Sequence, residues 1–218
     1  MEKLRMRYGK TDKAKYLSHL DLLATMRRAL LRANVKLKYS EGFNPHPYMS
    51  VALPLPVGCG SECELMDFGG DGACDLDALP ESINAALPGG IEVYEIYTPI
   101  NKFTGIAFIE IFGVMHYDNG APPRAAERLN ERFKSECIII SKRTKRGMSE
   151  LNIAPFVKDA VFSGEGVVTV TVKLPAQNPT LNPDSIINAL EGKYSDLSPL
   201  YAAFTRKKIF DSEMNVFR

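Results

Sequence analysis

From Lys3 to Tyr8 charged and apolar residues alternate, the period-2 pattern of a half-exposed strand. The period then changes. Leu23, Met26, Leu30 and Ala33 recur at helical spacing, while Asp21, Thr25, Arg28 and Arg32 share another face, which predicts a helix from Ser18 to Asn34. Ser18 is a good N-cap, and Asp21 three residues on gives a capping-box-like pair. Val35–Tyr39 reads as a short strand with Lys36 and Lys38 opposite its apolar side. A long loop follows, then a strand over Cys63–Phe68 and a helix over Leu76–Leu87. Pro88-Gly89-Gly90 ends that helix, and Ile91–Tyr97 closes the half as a strand.

The second half repeats the order. Ile106–Val114 is strand-like, Pro122-Pro123 opens a charged helix to Ser135, and Cys137–Ser141 is an apolar strand. Leu151–Phe162 and Val167–Leu174 read as a hairpin turning at Ser163-Gly164-Glu165-Gly166, its second strand alternating Val168, Val170 and Val172 with Thr169, Thr171 and Lys173. Asn182-Pro183 starts a helix to Leu190, with Pro at a favoured first position, and Tyr201–Phe210 is the last strand. Two such series predict an α+β chain of two tandem ferredoxin-like βαββαβ halves with antiparallel sheets. Their expected bounds are 1–100 and 105–218, with a linker near Pro99–Thr104. The halves share a pattern, not a residue-level repeat.

Composition narrows the class. With 45% hydrophobic and 24% charged residues over 218, the chain can bury a core, which excludes disorder for most of it. No apolar run approaches the ~20 residues of a membrane span, and Met1-Glu2-Lys3-Leu4-Arg5 has no signal-peptide core. The expectation is a cytoplasmic protein with no membrane partner. The net charge of +1 hides a strong asymmetry: residues 1–40 hold 11 Lys and Arg against 3 Asp and Glu, and residues 41–100 hold none against 10. A basic side of this kind attracts polyanions. Cys59, Cys63, Cys74 and Cys137 are expected as thiols. Their spacing matches neither paired Cys-x2-Cys zinc sites nor a ferredoxin run, so neither metal nor cofactor is expected.

Candidate chemistry is densest at Tyr39-Ser40-Glu41-Gly42-Phe43-Asn44-Pro45-His46-Pro47. Gly42 permits a sharp turn, and Pro45 and Pro47 restrict both themselves and the residues before them. A stiff loop displaying Phe43, Asn44 and His46 suits recognition, because little freedom is left to lose on binding. The alternative is a rigid connector whose Phe43 plugs the core and whose His46 caps a carbonyl. His19, beside the N-cap, is a candidate base, though a structural role is commoner there. Arg28 and Arg32 are candidate anion ligands, since the guanidinium fork matches phosphate. Leu53-Pro54-Leu55-Pro56-Val57-Gly58 is a second stiff stretch. It leads to Glu62, Glu64 and Asp67, which read either as a cation site or as acids on an exposed strand face. In the second half Lys142, Arg143, Lys145 and Arg146 form a basic hairpin tip fit to straddle a nucleic-acid backbone. Arg206-Lys207-Lys208 adds charge near the end of the chain.

Leu17-Ser18-His19-Leu20-Asp21, then Arg28 and Arg32, Tyr39-Ser40 and Gly42-Phe43-Asn44-Pro45-His46-Pro47 together resemble the radical SAM-linked protein family. Leu53-Pro54-Leu55-Pro56, Gly58, Ser61, Glu62, Glu64 and Asp67 extend the resemblance over residues 1–100, and Lys142 to Phe156 carries it loosely into the second half. The resemblance implies a protein that occurs beside, or fused to, a radical S-adenosylmethionine protein. The Cys-x3-Cys-x2-Cys run of such an enzyme is missing, so the chain looks like the partner. The tandem architecture, with a histidine near the first helix, is also similar to the CRISPR repeat-RNA endoribonucleases, whose glycine-rich C-terminal loop is not evident here.

The leading expectation is an RNA-binding or substrate-presenting accessory protein, non-catalytic itself, working with a radical SAM enzyme. Phe43 and Tyr48 would stack on bases, Asn44 and His46 would read edges or ribose, and the cations would meet phosphates. A metal-independent endoribonuclease using His19 or His46 as base is the first alternative. A protein-interaction adaptor, using the acidic 41–100 region, is the second.

Overall fold

The computed structural model of the chain describes residues 2–70, 75–144 and 147–218. They fall into two compact units: Met1–Gly105 with Phe217–Arg218, and Ile106–Val216. The protein is α+β, with mostly antiparallel strands and few helices. Among the described residues no helix is long and apolar enough to cross a membrane.

Unit 1 contains β1 (Glu2–Lys10), α1 (His19–Arg32), β2 (Met49–Val51), β3 (Gly60–Gly70), α2 (Leu79–Asn84) and β4 (Ile91–Tyr97). β1 lies between β4 and β3, and β2 pairs with the far edge of β3; every one of these pairings is antiparallel. Leu4, Met6 and Tyr8 of β1 enter the core with Met66 and Phe68 of β3, beneath Leu22, Met26, Ala29 and Leu30 of α1 and Ile83 of α2. Leu23 and Ala33 flank this stripe, half-buried, so the apolar face of α1 is rotated from the one the spacing predicted.

The opposite face of β1 corrects the half-exposed reading. Arg5 is completely buried and Arg7 is half-buried. Arg5 pairs in register with Asp67 and donates to its carboxylate from Nε (2.6 Å) and Nη2 (3.0 Å). Lys3 Nζ lies 2.7 Å from the same carboxylate. The Phe103 ring sits 4.3 Å and the Phe217 ring 5.4 Å from the Arg5 guanidinium carbon. A guanidinium tolerates such burial because a carboxylate neutralises it and aromatic faces solvate its plane.

α1 starts and stops as its sequence directs. The Ser18 hydroxyl accepts from the Asp21 N–H (3.2 Å) and donates to the Asp21 carboxylate (2.7 Å). At the far end Val35 N–H reaches Leu30 O and Asn34 N–H reaches Leu31 O, with Asn34 left-handed at φ 56°. That is a Schellman stop, closed by the buried pair Leu30 and Val35. Val35–Tyr39 is not a continuous strand: only the isolated bridges Leu37–Gly70 and Tyr39–Pro47 form. α2 is shorter than predicted. Asp75 Oδ1 accepts from the N–H groups of Asp77 and Ala78, holding a turn, and Pro80 then sits within the first helical positions.

Unit 2 contains β5 (Phe108–His116), α3 (Ala125–Phe133), β6 (Ile139–Thr144), β7 (Gly147–Asn152), β8 (Lys158–Ser163), β9 (Val168–Pro175), α4 (Ser185–Asn188) and β10 (Tyr201–Phe210). β10, β5, β9 and β8 run side by side, all antiparallel, while β6 and β7 form their own two-stranded ladder. The predicted single strand Leu151–Phe162 is therefore two strands of different sheets. Asn152 Oδ1 accepts from Ile138 and Ala154 N–H, and Phe156 and Val157 N–H both turn back to Ile153 O. The helix predicted from Asn182 shrinks to a single turn, with Pro183 one residue ahead of its cap.

Counted along its own chain, each unit orders its strands fourth, first, third, second, leaving β6 and β7 aside. Each also carries extra chain between its first helix and its second strand: residues 33–48 in unit 1 and 134–157 in unit 2.

Candidate functional site

The extra segment of unit 1 is held by a ladder of backbone bonds at its base. Lys38 N–H donates to Gly69 O (3.0 Å), Gly69 N–H to Tyr48 O (2.9 Å) and Tyr48 N–H to Lys38 O (2.9 Å). One step further out, Ser40 N–H donates to His46 O (2.8 Å), and His46 N–H donates back to the Ser40 hydroxyl (3.0 Å). This neck encloses Glu41-Gly42-Phe43-Asn44-Pro45, all exposed. Gly42, at φ 121°, supplies the turn that a side chain would resist. Phe43 has a relative exposure of 112%, so it does not plug the core. His46 caps through its main chain, and the residue itself is exposed. Below the neck the Arg27 guanidinium lies 5.7 Å from the Tyr39 ring centre, and Tyr48 is exposed.

Arg28 and Arg32 serve a different surface. With Thr25 they face Ser82 and Ala85–Pro88 across a cleft of about 670 Å³ between α1 and the end of α2. Arg28 Nη2 donates to Thr25 Oγ1 (3.3 Å). The lining holds two guanidiniums and no carboxylate, which makes the cleft electropositive.

A second cavity of unit 1, about 370 Å³, is lined by Lys3, Tyr48, Met49, Ser50, Asp67 and Phe103, among others. Sequence reasoning gave Tyr48 a role but missed Lys3 and Phe103. The available signal was the alternating cations of β1 with an acid in a later strand, which charge pairing would bring together. Asp67 is consumed by Arg5 and Lys3, and Glu64 is also buried; neither stands on the exposed acidic face predicted as one reading, and only Glu62 is exposed.

The predicted residues thus occupy several places. Phe43 and Asn44 share the loop tip with His46 in the neck beneath them, Arg28 and Arg32 share the cleft, and Tyr48 belongs to the second cavity. His19 is the exposed first residue of α1 and lines neither cavity. In unit 2, Lys142 Nζ donates to Thr180 O (2.7 Å), and Arg143 pairs in register with Met148 on the β6–β7 ladder. Lys145 and Arg146 lie outside the described residues, as does Cys74. Cys59 and Cys63 are buried thiols and Cys137 is exposed. Among the described residues no three His, Cys, Asp or Glu side chains gather as a metal site. Near the buried arginine, burial pushes the Tyr97 phenol above its ordinary value, opposed by the Arg5 charge.

A family model described as an uncharacterized protein conserved in bacteria (DUF2344) matches residues 3–183. No curated protein matches the chain. A crystal structure of an unknown protein from Galdieria sulphuraria is similar over 94% of this chain and 98% of its own, at 10% identity and a TM-score of 0.28. At that score the likeness carries no argument.

Proposed function

The chain belongs to the DUF2344 family, and from that premise we propose that it is an RNA-binding accessory protein that presents RNA to a radical SAM enzyme. The observation that carries the RNA reading is Phe43: a phenylalanine fully exposed at the tip of a loop braced on both sides has no folding task. Stacking on a base is a task that fits it, since each base offers a π-face and the braced loop has little entropy to lose. Asn44 and His46 stand beside it to contact base edges or the ribose hydroxyl. Arg28 and Arg32 give the phosphate backbone an electropositive cleft on the same unit, and Lys142, Arg143, Lys145 and Arg146 add a second cationic run in the sequence. The enzyme partner rests on the sequence resemblance to the radical SAM-linked family. The shared strand order supports the companion reading of each unit as a ferredoxin-like half.

Filter binding of a single-stranded RNA to the full chain, repeated across salt concentrations, tests the reading. Saturable binding that weakens linearly on a log–log plot is expected. Absent binding, or affinity indifferent to salt, would remove it. Cleaved RNA in the same samples, lost on alanine substitution of His19 or His46, would favour the endoribonuclease instead.

A further inference from the structure

We propose that the second cavity of unit 1 is a binding site for a single nucleotide, with an aromatic wall for the base and Lys3 for the phosphate. The cavity has the size of a small-ligand pocket, about 370 Å³, and combines apolar walls with a few placed polar groups. Tyr48, Phe103 and Pro47 supply ring surface. Tyr48 is 44% exposed, so its ring is accessible to a base.

The charge balance selects the ligand. Asp67 lines the cavity with its side chain only 5% exposed, and it serves two cations at once: Arg5, completely buried, and Lys3, whose side chain is 49% exposed. One carboxylate against two cations leaves the cluster positive by one charge. Among the described residues, Arg5 Nη1 is buried without a hydrogen-bond partner, so Asp67 is the carboxylate this guanidinium shares with Lys3. The excess is reachable from outside through Lys3, which lines the cavity. Asp67 orients that ammonium at 2.7 Å through one of its protons, leaving two to donate. An aromatic slot beside a pre-oriented cation fits a nucleoside monophosphate better than a bare anion or an uncharged heterocycle. A neutral ligand would leave the surplus uncompensated, and a bare anion would leave the rings uncovered.

The shared chemistry is a base joined to a phosphate, which a free nucleotide or one unit of an RNA strand can supply. The inference leans on the RNA reading only for the second source. Pro47 and Tyr48 continue directly from the Phe43 loop, so a strand stacked on the tip has a short route to the cavity.

The chain has no tryptophan, so tyrosine fluorescence or calorimetry on the full protein can follow titration with the four nucleoside 5′-monophosphates and their parent nucleosides. At least one monophosphate is expected to saturate, about 10-fold or more tighter than its nucleoside. Lys3→Ala should abolish that difference, and Tyr48→Ala should weaken both ligands about 5- to 100-fold, in line with a lost base–aromatic stack. Melting curves confirm that each variant is folded, and Lys3→Arg should restore the preference for the phosphate. Phe43→Ala should leave monophosphate binding unchanged, which separates this site from the loop tip. Displacement of the monophosphate by RNA identifies a strand as the source, and its persistence identifies free nucleotide. If no monophosphate saturates at millimolar concentration, or if Lys3→Ala and Tyr48→Ala bind like the parent chain, the site is overturned, whether or not RNA binds at Phe43. Monophosphate binding without RNA binding would uphold the site and remove the RNA reading.

Discussion

The two units use one strand order and insert extra chain at one topological point, yet they hold the insertion by different physics. In unit 1 residues 33–48 gain only isolated bridges, and stiffness comes from Pro45, Pro47 and the reciprocal bonds of Ser40 with His46. In unit 2 residues 134–157 hold themselves by a β6–β7 ladder running from Ile139–Asn152 to Thr144–Gly147. Asn152 then ties that ladder down, accepting from Ile138 and Ala154 and donating to Glu136 O. The first device displays an aromatic with its polar neighbours; the second is a two-stranded ladder whose Lys142 ammonium is bonded to Thr180 O. A backbone ladder extends an element at the cost of spending its N–H and C=O groups on itself, whereas a proline-braced turn leaves the tip compact and its side chains outward. Under the RNA reading proposed above, base contact falls to the exposed tip of unit 1.

The largest separation between the units is expected from Asp67→Ala. It strands the buried Arg5 charge, and breaking a buried pair costs about 3–5 kcal/mol. Hydrogen exchange read by mass spectrometry should show protection lost in residues 2–105 and retained in 106–216, and uniform loss would break the comparison. Next in size is Phe43→Ala, which should lower RNA affinity by about 1–3 kcal/mol while changing folding stability by less than about 0.5 kcal/mol. A matching drop in stability would mean that the tip is structural after all. The two bracing side chains come third. Asn152→Ala should destabilise by about 1–2 kcal/mol and Ser40→Ala by about 0.5–1 kcal/mol, because the asparagine makes more bonds in a less exposed place. Denaturant titration of each variant decides the order.

Smaller still, Arg28→Ala and Arg32→Ala should each reduce the log–log salt slope of RNA binding by about 1. The smallest effect is expected from Tyr97→Phe. Among the described residues the buried Tyr97 hydroxyl has no hydrogen-bond partner, so its removal should be close to neutral at pH 7. Its folded pKa lies above the ordinary value of 10.0. The stability this shift contributes is present below pH 10 and is lost as pH rises through the folded value. The alkaline decline of unit 1 should therefore be shallower in Tyr97→Phe, as melts between pH 8 and about 11 would show.

The parts of the fold legible in the sequence were those whose cause is local. The Ser18 cap, the Asn34 stop, the alternation of Val168 to Lys173 and the strand Tyr201–Phe210 all rest on neighbours a few residues away. What misled was distant. Lys3, Arg5 and Arg7 alternate as they would on a wet strand, and Asp67, Glu95, Phe103 and Phe217, all brought in from far along the chain, bury Arg5 and half-cover Arg7 while Lys3 stays exposed. Likewise Leu151–Phe162 has strand composition throughout, and the Asn152 turn that divides it shows only in three dimensions. The loop motif of the candidate site was visible because glycine and proline mark it. The Lys3–Asp67 cavity was not, since its walls come from four separate segments.

Ultraviolet crosslinking of a single-stranded RNA to the full chain, with the joined peptide identified by mass spectrometry, tests the central claim most directly. The account predicts a crosslink at Phe43, in the peptide that follows Lys38. Crosslinks confined to the β6–β7 hairpin, or none on residues 39–48 under conditions where RNA is bound, would contradict it.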